Sequence, residues 1–271
     1  MRTLSRRILM VGLVVGFLAV PLVVGAKGHE ASAVTGAAAT TGGSFASGRS
    51  WAVAFVTPGS SPVEERAWCS GVLLTPTKVL TAGHCFAHAD VAPWTTLRVV
   101  IGRRSLDSGG QVRRIARSPQ ISRSADLAIV TLDRASTLTD IDLANSDVAS
   151  RWGNGTDVQL YGYGWVNSTH RDPRLQEVTF RMNNVALNPW EMQASWTGRS
   201  GCKGDSGGPV VLWRNGVPKL VGIWVRYQAS SSPDPGCGAR NPTNPEQRIV
   251  RVGYRGSRAA SPGWSWIKNN V

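Results

Sequence analysis

The stretch Gly201-Cys202-Lys203-Gly204-Asp205-Ser206-Gly207-Gly208-Pro209 constrains this chain more than any other. A serine sits between glycines, with an acid just before it and a cysteine a few residues back. Gly204 and Gly208 lack a Cβ, so they reach backbone angles closed to other residues and let a second backbone approach closely. The run therefore reads as a tight turn whose amide N–H groups converge beside the Ser206 hydroxyl. An acyl-transfer site needs that arrangement to hold a developing oxyanion. A bare G-x-S-x-G pattern is more often an ordinary polar turn, so the rest of the chain has to supply the other parts.

A serine hydroxyl is a weak nucleophile at neutral pH, and chemistry at Ser206 demands a histidine base and a carboxylate to orient it. The four histidines, His29, His84, His88 and His170, all precede Ser206. That excludes the α/β-hydrolase order, in which histidine follows the serine. An order with aspartate before histidine fails as well, because the first aspartate is Asp90, beyond both His84 and His88. The order His…Asp…Ser remains, with His84 as base.

With 271 residues, 42% hydrophobic and 17% charged, the chain has enough apolar material for one large core or two small ones. Its 30 glycines, 15 prolines and many short Val/Ile/Leu runs favour an all-β fold with many turns. At the start, Arg2, Arg6 and Arg7 precede an apolar run from Ile8 to Val24, followed by Ala31-Ser32-Ala33, a small-x-small cleavage pattern. Val24-Gly25-Ala26 is an earlier candidate for the cut. Residues 1–33 read as an export signal and 34–48 as a flexible linker or short pro-segment. A retained anchor is the alternative, since the apolar run is nearly long enough to span a bilayer. Export implies a secreted protein with no stable membrane association after cleavage. It also permits disulfides, so the four cysteines read as two bridges rather than a zinc site. Cys69 with Cys85 would close a short loop, and Cys202 with Cys237 a longer one. The net charge of +13 is scattered over pairs such as Arg103-Arg104 and Arg113-Arg114, without the interleaved aromatics of a single-strand binder. Nucleic acid is therefore not expected as a partner; a solvated basic surface would linger near anionic cell walls or acidic proteins.

Folded sequence begins near Ser50, and a loop from Thr57 to Arg66 carries Pro58 and Pro62. A hairpin follows, Cys69 to Leu74, a turn at Thr75-Pro76, then Lys78 to Cys85, with His84 at the end of the second strand. A lone histidine is usually just a satisfied polar residue, but the small Ala82 and Gly83 and the adjacent Cys85 suggest a ring held in place. His84 and His88 have the spacing of a metal pair but lack the glutamate of H-E-x-x-H, so no metal is expected. Asp126 opens the apolar run Leu127 to Leu132, where a carboxylate is costly to bury unless paired. Asp90 and Asp107 sit in polar loop sequence. Asp126 is the candidate to hold the imidazole.

Thr81-Ala82-Gly83-His84-Cys85, Asp126-Leu127-Ala128 and Gly204 to Pro209 together resemble the chymotrypsin/trypsin family of serine peptidases. The likeness extends to Val158–Gly164, Leu220–Ile223 and Trp266-Ile267-Lys268, spanning roughly Ser50 to the end. It implies an all-β fold of two six-stranded antiparallel β-barrels packed face to face, with the site in the cleft between them. The first barrel (about 49–150) would carry His84 and Asp126, and the second (about 151–260) Ser206. A short C-terminal α-helix (about 261–270) would open at Pro262. By this resemblance Ser206 attacks a peptide carbonyl, His84 moves the proton, Asp126 fixes the histidine tautomer, and the N–H groups of Gly204 and Ser206 form the oxyanion hole. The implied protein is a secreted endopeptidase, a monomer acting on polypeptide substrates, with no metal or organic cofactor. A proteinaceous inhibitor is a further expected partner. Rival readings are a non-catalytic binding relative and an esterase or other acyl hydrolase using the same triad.

Two features depart from the family. Its mature chain starts with an Ile-Val-Gly-Gly-like segment whose amine pairs with the acid before the nucleophile, here Asp205. Between Ala33 and Trp51 the nearest match is Val34-Thr35-Gly36, exposed by a cut after Ala33. The specificity pocket is the second departure. Ser200 occupies its floor, where selection of Arg/Lys would want aspartate. Val225, Arg226 and Tyr227 stand where the family commonly has Ser-Trp-Gly, so Tyr227 would narrow the entrance and Val225 would deny Asp126 a hydroxyl partner.

Overall fold

In the run from Gln176 to Met182 every second side chain is apolar or amide, the period of a strand with one face in a core. Gln176, Val178, Phe180 and Met182 are buried there, while Glu177, Thr179 and Arg181 lie nearer solvent. The computed structural model describes residues 44–87, 93–149, 152–166, 170–185, 187–188, 190–195, 200–228, 246–255 and 259–271. The expected leader and most of the 34–48 segment lie outside these residues, as do His88 and Cys237.

The strands are β1 (Ser44–Phe45), β2 (Ala52–Val56), β3 (Ala67–Thr75), β4 (Lys78–Ala82), β5 (Arg98–Ile101), β6 (Gln111–Arg114), β7 (Gln120–Ser122) and β8 (Leu127–Thr131). They continue with β9 (Asp157–Gly162), β10 (Gln176–Asn184), β11 (Glu191–Ser195), β12 (Pro209–Arg214), β13 (Val217–Gln228), β14 (Glu246–Arg251), β15 (Tyr254–Arg255) and β16 (Ala259–Ala260). The helices are short: α1 (His84–Ala87), α2 (Ser146–Ala149) and α3 (Pro262–Lys268).

Two antiparallel sheets of seven strands make up the fold, beside the small β15–β16 pair. The first runs β6-β5-β2-β3-β4-β8-β7, and a bridge between Ile115 and Leu132 ties the end of β6 to the end of β8. Six strands thus close on themselves, with β7 outside the ring. The second runs β10-β11-β14-β13-β12-β9, and β9 pairs back onto β10 to close it; β1 adds to the outside of β10. The expectation of an all-β chain with two packed antiparallel barrels and a C-terminal helix holds, each ring of six carrying one short extra strand.

Residues of both barrels share one buried apolar cluster, in which Phe55, Leu73 and Leu127 join Tyr161, Val211 and Ile223. Trp51 meets Tyr161 edge to face across this boundary, with ring centroids 5.1 Å apart. Helix α3 starts where the sequence predicts: Ser261 caps it by accepting the Trp264 N–H at 3.0 Å, and Pro262 needs no acceptor in the first turn. Asn270 then accepts a hydrogen bond from Gln120 of β7, which ties the end of the chain to the first barrel. Among the described residues, no helix is long and apolar enough to cross a membrane.

Candidate active site

The pairing of β4 with β8 ends at Ala82 opposite Leu127, so the residues just past that rung, Gly83-His84 and Asp126, meet at the mouth of the first barrel. Gly83 allows the approach: a Cβ there would press on the Asp126 backbone at 3.1 Å. The Asp126 carboxylate takes His84 at two points. Oδ1 accepts the His84 backbone N–H at 2.7 Å, and Oδ2 lies 2.9 Å from Nδ1. Both side chains are about one-third exposed, at 32% and 28%. Asp126 adopts a left-handed backbone with φ of 49°, a conformation rare outside glycine, asparagine and aspartate.

Behind the imidazole, Cys85 is bonded to Cys69. The two sulfurs lie close to the His84 ring, but being joined to each other they offer no thiolate to a metal. Cys202 is also disulfide-bonded. Closing a loop of this kind restricts the unfolded chain, so replacing Cys69 and Cys85 together by alanine is expected to cost about 2–4 kcal/mol. Urea unfolding of the double variant measures that loss.

The Ser206 turn docks onto the first barrel. Ser70 N donates to the Ser206 carbonyl at 2.9 Å, and Cys85 Sγ lies 3.8 Å from the same oxygen. Gly207, at φ 84°, faces Thr81 and Ser70 with no room for a Cβ. Its N–H donates to Trp224, and Gly208 accepts from Trp224 N. Gly204 also takes a positive φ, 88°. The Gly204 and Ser206 N–H groups donate to no acceptor among the described residues. The Ser206 hydroxyl donates to the Val225 carbonyl at 3.4 Å and makes no hydrogen bond with His84. The chain thus brings His84 and Asp126 into direct contact and anchors the Ser206 backbone against the residue next to His84.

Asp205 is wholly buried. Among the described residues its oxygens accept only backbone N–H groups, from Gly164 to Oδ1 and Cys202 to Oδ2, each at 2.9 Å. Burial is the main cause that pushes its carboxyl up to about 7; the two N–H groups pull the other way and do not offset it.

Ser200 is buried beside Gln247, whose Oε1 also accepts from Trp224 Nε1 at 2.9 Å and whose Nε2 donates to Ser200 Oγ at 3.2 Å. Among the described residues, the hydrogen-bond partners around Ser200 are uncharged. β13 carries a bulge at Val225, which is buried, while Arg226 turns outward to pair with Glu191 at 3.1 Å. Tyr227 lies on β13 with its backbone opposite Gln247. On another flank of the Ser206 turn, a cavity of about 430 Å³ is lined by Glu64, Glu65, Trp165, His170 and Arg171. Trp165 N donates to Lys203 O at 2.8 Å, so this cavity adjoins the turn.

Sequence reasoning missed Ser70 and Gln247. Ser70 Oγ donates to Gly204 O at 2.8 Å and accepts from Tyr163 N at 3.0 Å, riveting the turn to both barrels. The signal was present: a hydroxyl inside the buried strand β3 has to find a partner. Gln247 left no comparable local sign.

The sequence profile of the family described as Trypsin matches residues 40–242. The chain is 29% identical over 210 residues to a trypsin of Saccharopolyspora erythraea, covering 69% of this chain and 86% of that protein. It is 29% identical over 178 residues to trypsin 5G1 of Aedes aegypti, covering 56% and 64%. Human granzyme M is 31% identical over 175 residues, covering 55% and 65%. With its two closed antiparallel barrels and this profile over most of its length, the chain belongs to the trypsin family. The match begins at Thr40-Thr41-Gly42-Gly43, two β-branched residues followed by two glycines, six residues after Val34.

Proposed function

We propose that the protein is a secreted serine endopeptidase in which His84, Asp126 and Ser206 act together. The observation that carries this is the double grip of Asp126 on His84, beside a Ser206 turn whose Gly204 and Ser206 N–H groups meet no acceptor among the described residues. With Oδ2 accepting from Nδ1–H, the Nε2 lone pair is left to take the Ser206 proton. The hydroxyl turns from the Val225 carbonyl toward the imidazole, attacks the peptide carbonyl, and the oxyanion settles between the Gly204 and Ser206 N–H groups. His84 then protonates the leaving amine, and water releases the acyl group by the same steps reversed. Catalytic hydrogen bonds are often long or misaligned without substrate, as at Ser206 here.

The uncharged Ser200–Gln247 end of the pocket gives no counter-charge for Arg or Lys, so the residue before the cut is uncharged. Residues 1–33 act as an export signal, and processing within 34–48 frees an amine for Asp205. A fluorophosphonate probe tests the core of the reading. The processed protein should label covalently, and Ser206→Ala should not. An unlabelled wild type would sink the peptidase reading in favour of a binding relative, which the present orientation of the Ser206 hydroxyl would suit. Digestion of a diverse peptide library then reads the preferred residue before the cut; a majority of cuts after Arg or Lys would overturn the pocket assignment.

A further inference from the structure

The outer face of the first barrel carries cations that the catalytic reading does not use. Arg98 of β5 and Arg114 of β6 stand directly opposite each other, a like-charge pairing that disfavours the strand contact. With Val112, Arg113, Asp133 and Arg134 they line a groove of about 420 Å³. Among the described residues none of these four arginines enters an ion pair. Asp133, the one carboxylate lining the groove, has Oδ1 engaged by the Arg114 backbone N–H at 3.0 Å. Arg113 is held in place by the carbonyls of Ala135 and Val112. The guanidinium groups of Arg114 and Arg134 meet no acceptor among the described residues. The positive strip continues through Arg117 and Lys78, which both reach Thr131 Oγ1 at 3.2 Å. The Lys78 ammonium is held below its ordinary range, mainly by burial and then by Arg117 beside it.

Val112 decides what kind of anion fits. It is 36% exposed and lines the groove between the arginines. A phosphodiester or sulfated sugar chain has no apolar branch to cover it, whereas a peptide can place an aliphatic side chain there and carboxylates on either side. Guanidinium groups match carboxylates two bonds at a time.

We propose that this groove binds an acidic polypeptide segment with an apolar residue among its carboxylates, as a recruiting surface separate from the catalytic residues. The test uses the full chain carrying Ser206→Ala, so that a bound peptide is not cut and the outcome is independent of the peptidase reading. A fluorescein-labelled peptide of Glu and Asp around a central Leu is titrated while anisotropy is followed at low salt. Saturable binding is expected, weakening as salt screens the contact. Arg114→Glu with Arg134→Glu should reduce affinity about tenfold or more, and the pair of Gln substitutions less. Val112→Ser should weaken the Leu peptide but not a version with Gly in its place. Melting temperatures confirm that each variant is folded. Equal affinity in the charge-reversed protein would overturn the proposal, as would binding of a sulfated polysaccharide without binding of the peptide.

Discussion

Replacing Asp126 by asparagine is expected to lower kcat by about 10⁴ while the protein stays folded. The reason lies in the two contacts that one carboxylate makes. Oδ1 faces the His84 backbone N–H and Oδ2 faces Nδ1, so both carboxylate oxygens act as acceptors toward the same residue. Asparagine has a single oxygen. If it stays with the backbone N–H, its NH₂ turns to Nδ1 and forces that nitrogen to accept. The ring proton then sits on Nε2, where the base must have a lone pair. If the amide flips, the His84 backbone N–H confronts NH₂ and the ring loses its anchor. The backbone itself tolerates the change, since asparagine is among the few residues at ease at the φ of 49° found here. The check is kcat on the best library peptide, with the fluorophosphonate labelling rate as a substrate-independent measure. An Asp126→Asn variant within about tenfold of wild type, against the 10⁴ loss expected for this group, would mean that His84 is not oriented by this carboxylate.

Asp205 carries the second large effect, through its charge rather than its shape. With no cation beside it among the described residues, its carboxyl is pushed up by burial to about 7, so the folded chain holds a proton that the unfolded chain gives up near pH 4. A raised carboxyl of this kind works against stability at high pH. The unprocessed protein is expected to be most stable in this respect below about pH 4, to lose stability up to about pH 7, and to level off above. A freed N-terminal amine changes that. Phe45 pairs with Gln176, Gln176 pairs with Gly162, and Gly162 packs on the Asp205 carboxylate. Two strand spacings put Phe45 about 10 Å from Gly162. The five residues back to Thr40 span up to about 17 Å, enough for an amine at residue 40 to reach Asp205.

Once paired, the carboxylate is favoured, its pKa falls, and the loss of stability between pH 4 and 7 should disappear. Without the pair, the Gly204 donor is less firmly set, and activity is expected to be lower by about 10²–10³, the usual cost of an oxyanion donor. N-terminal sequencing of the active protein, with melting curves across pH for processed, unprocessed and Asp205→Asn forms, tests the whole argument. The Asp205→Asn form should show no slope in either state. A mature start beyond Gly48 with full activity would overturn the pairing, and a slope that survives the substitution would assign the titration elsewhere.

Much of the candidate site was legible in the chain because its parts are locally encoded. A serine between glycines, a histidine after a short apolar strand and an aspartate opening another are properties of neighbouring residues. The order of the three types excluded competing arrangements without any coordinates. Strand period and turn residues were enough for an all-β fold, and Ser261-Pro262 for the start of α3. Thr40-Thr41-Gly42-Gly43, where the family match begins, shares with Ile-Val-Gly-Gly only two β-branched residues before two glycines, a likeness of residue class rather than of residue identity.

By itself, then, the sequence determined which chemical groups the protein owns, their order, and the periodicities that make strands and one capped helix, all of which depend on residues close in the chain. Only the tertiary structure decided that Ser70 rivets a turn 134 residues away, that Gln247 lies beside Ser200, and that Asp205 is sealed from water next to Gly162. Closing a barrel brings together strands whose separation along the chain carries no mark of their contact. The partner a buried polar group finds is set by register and packing, and these exist only once the rings have closed.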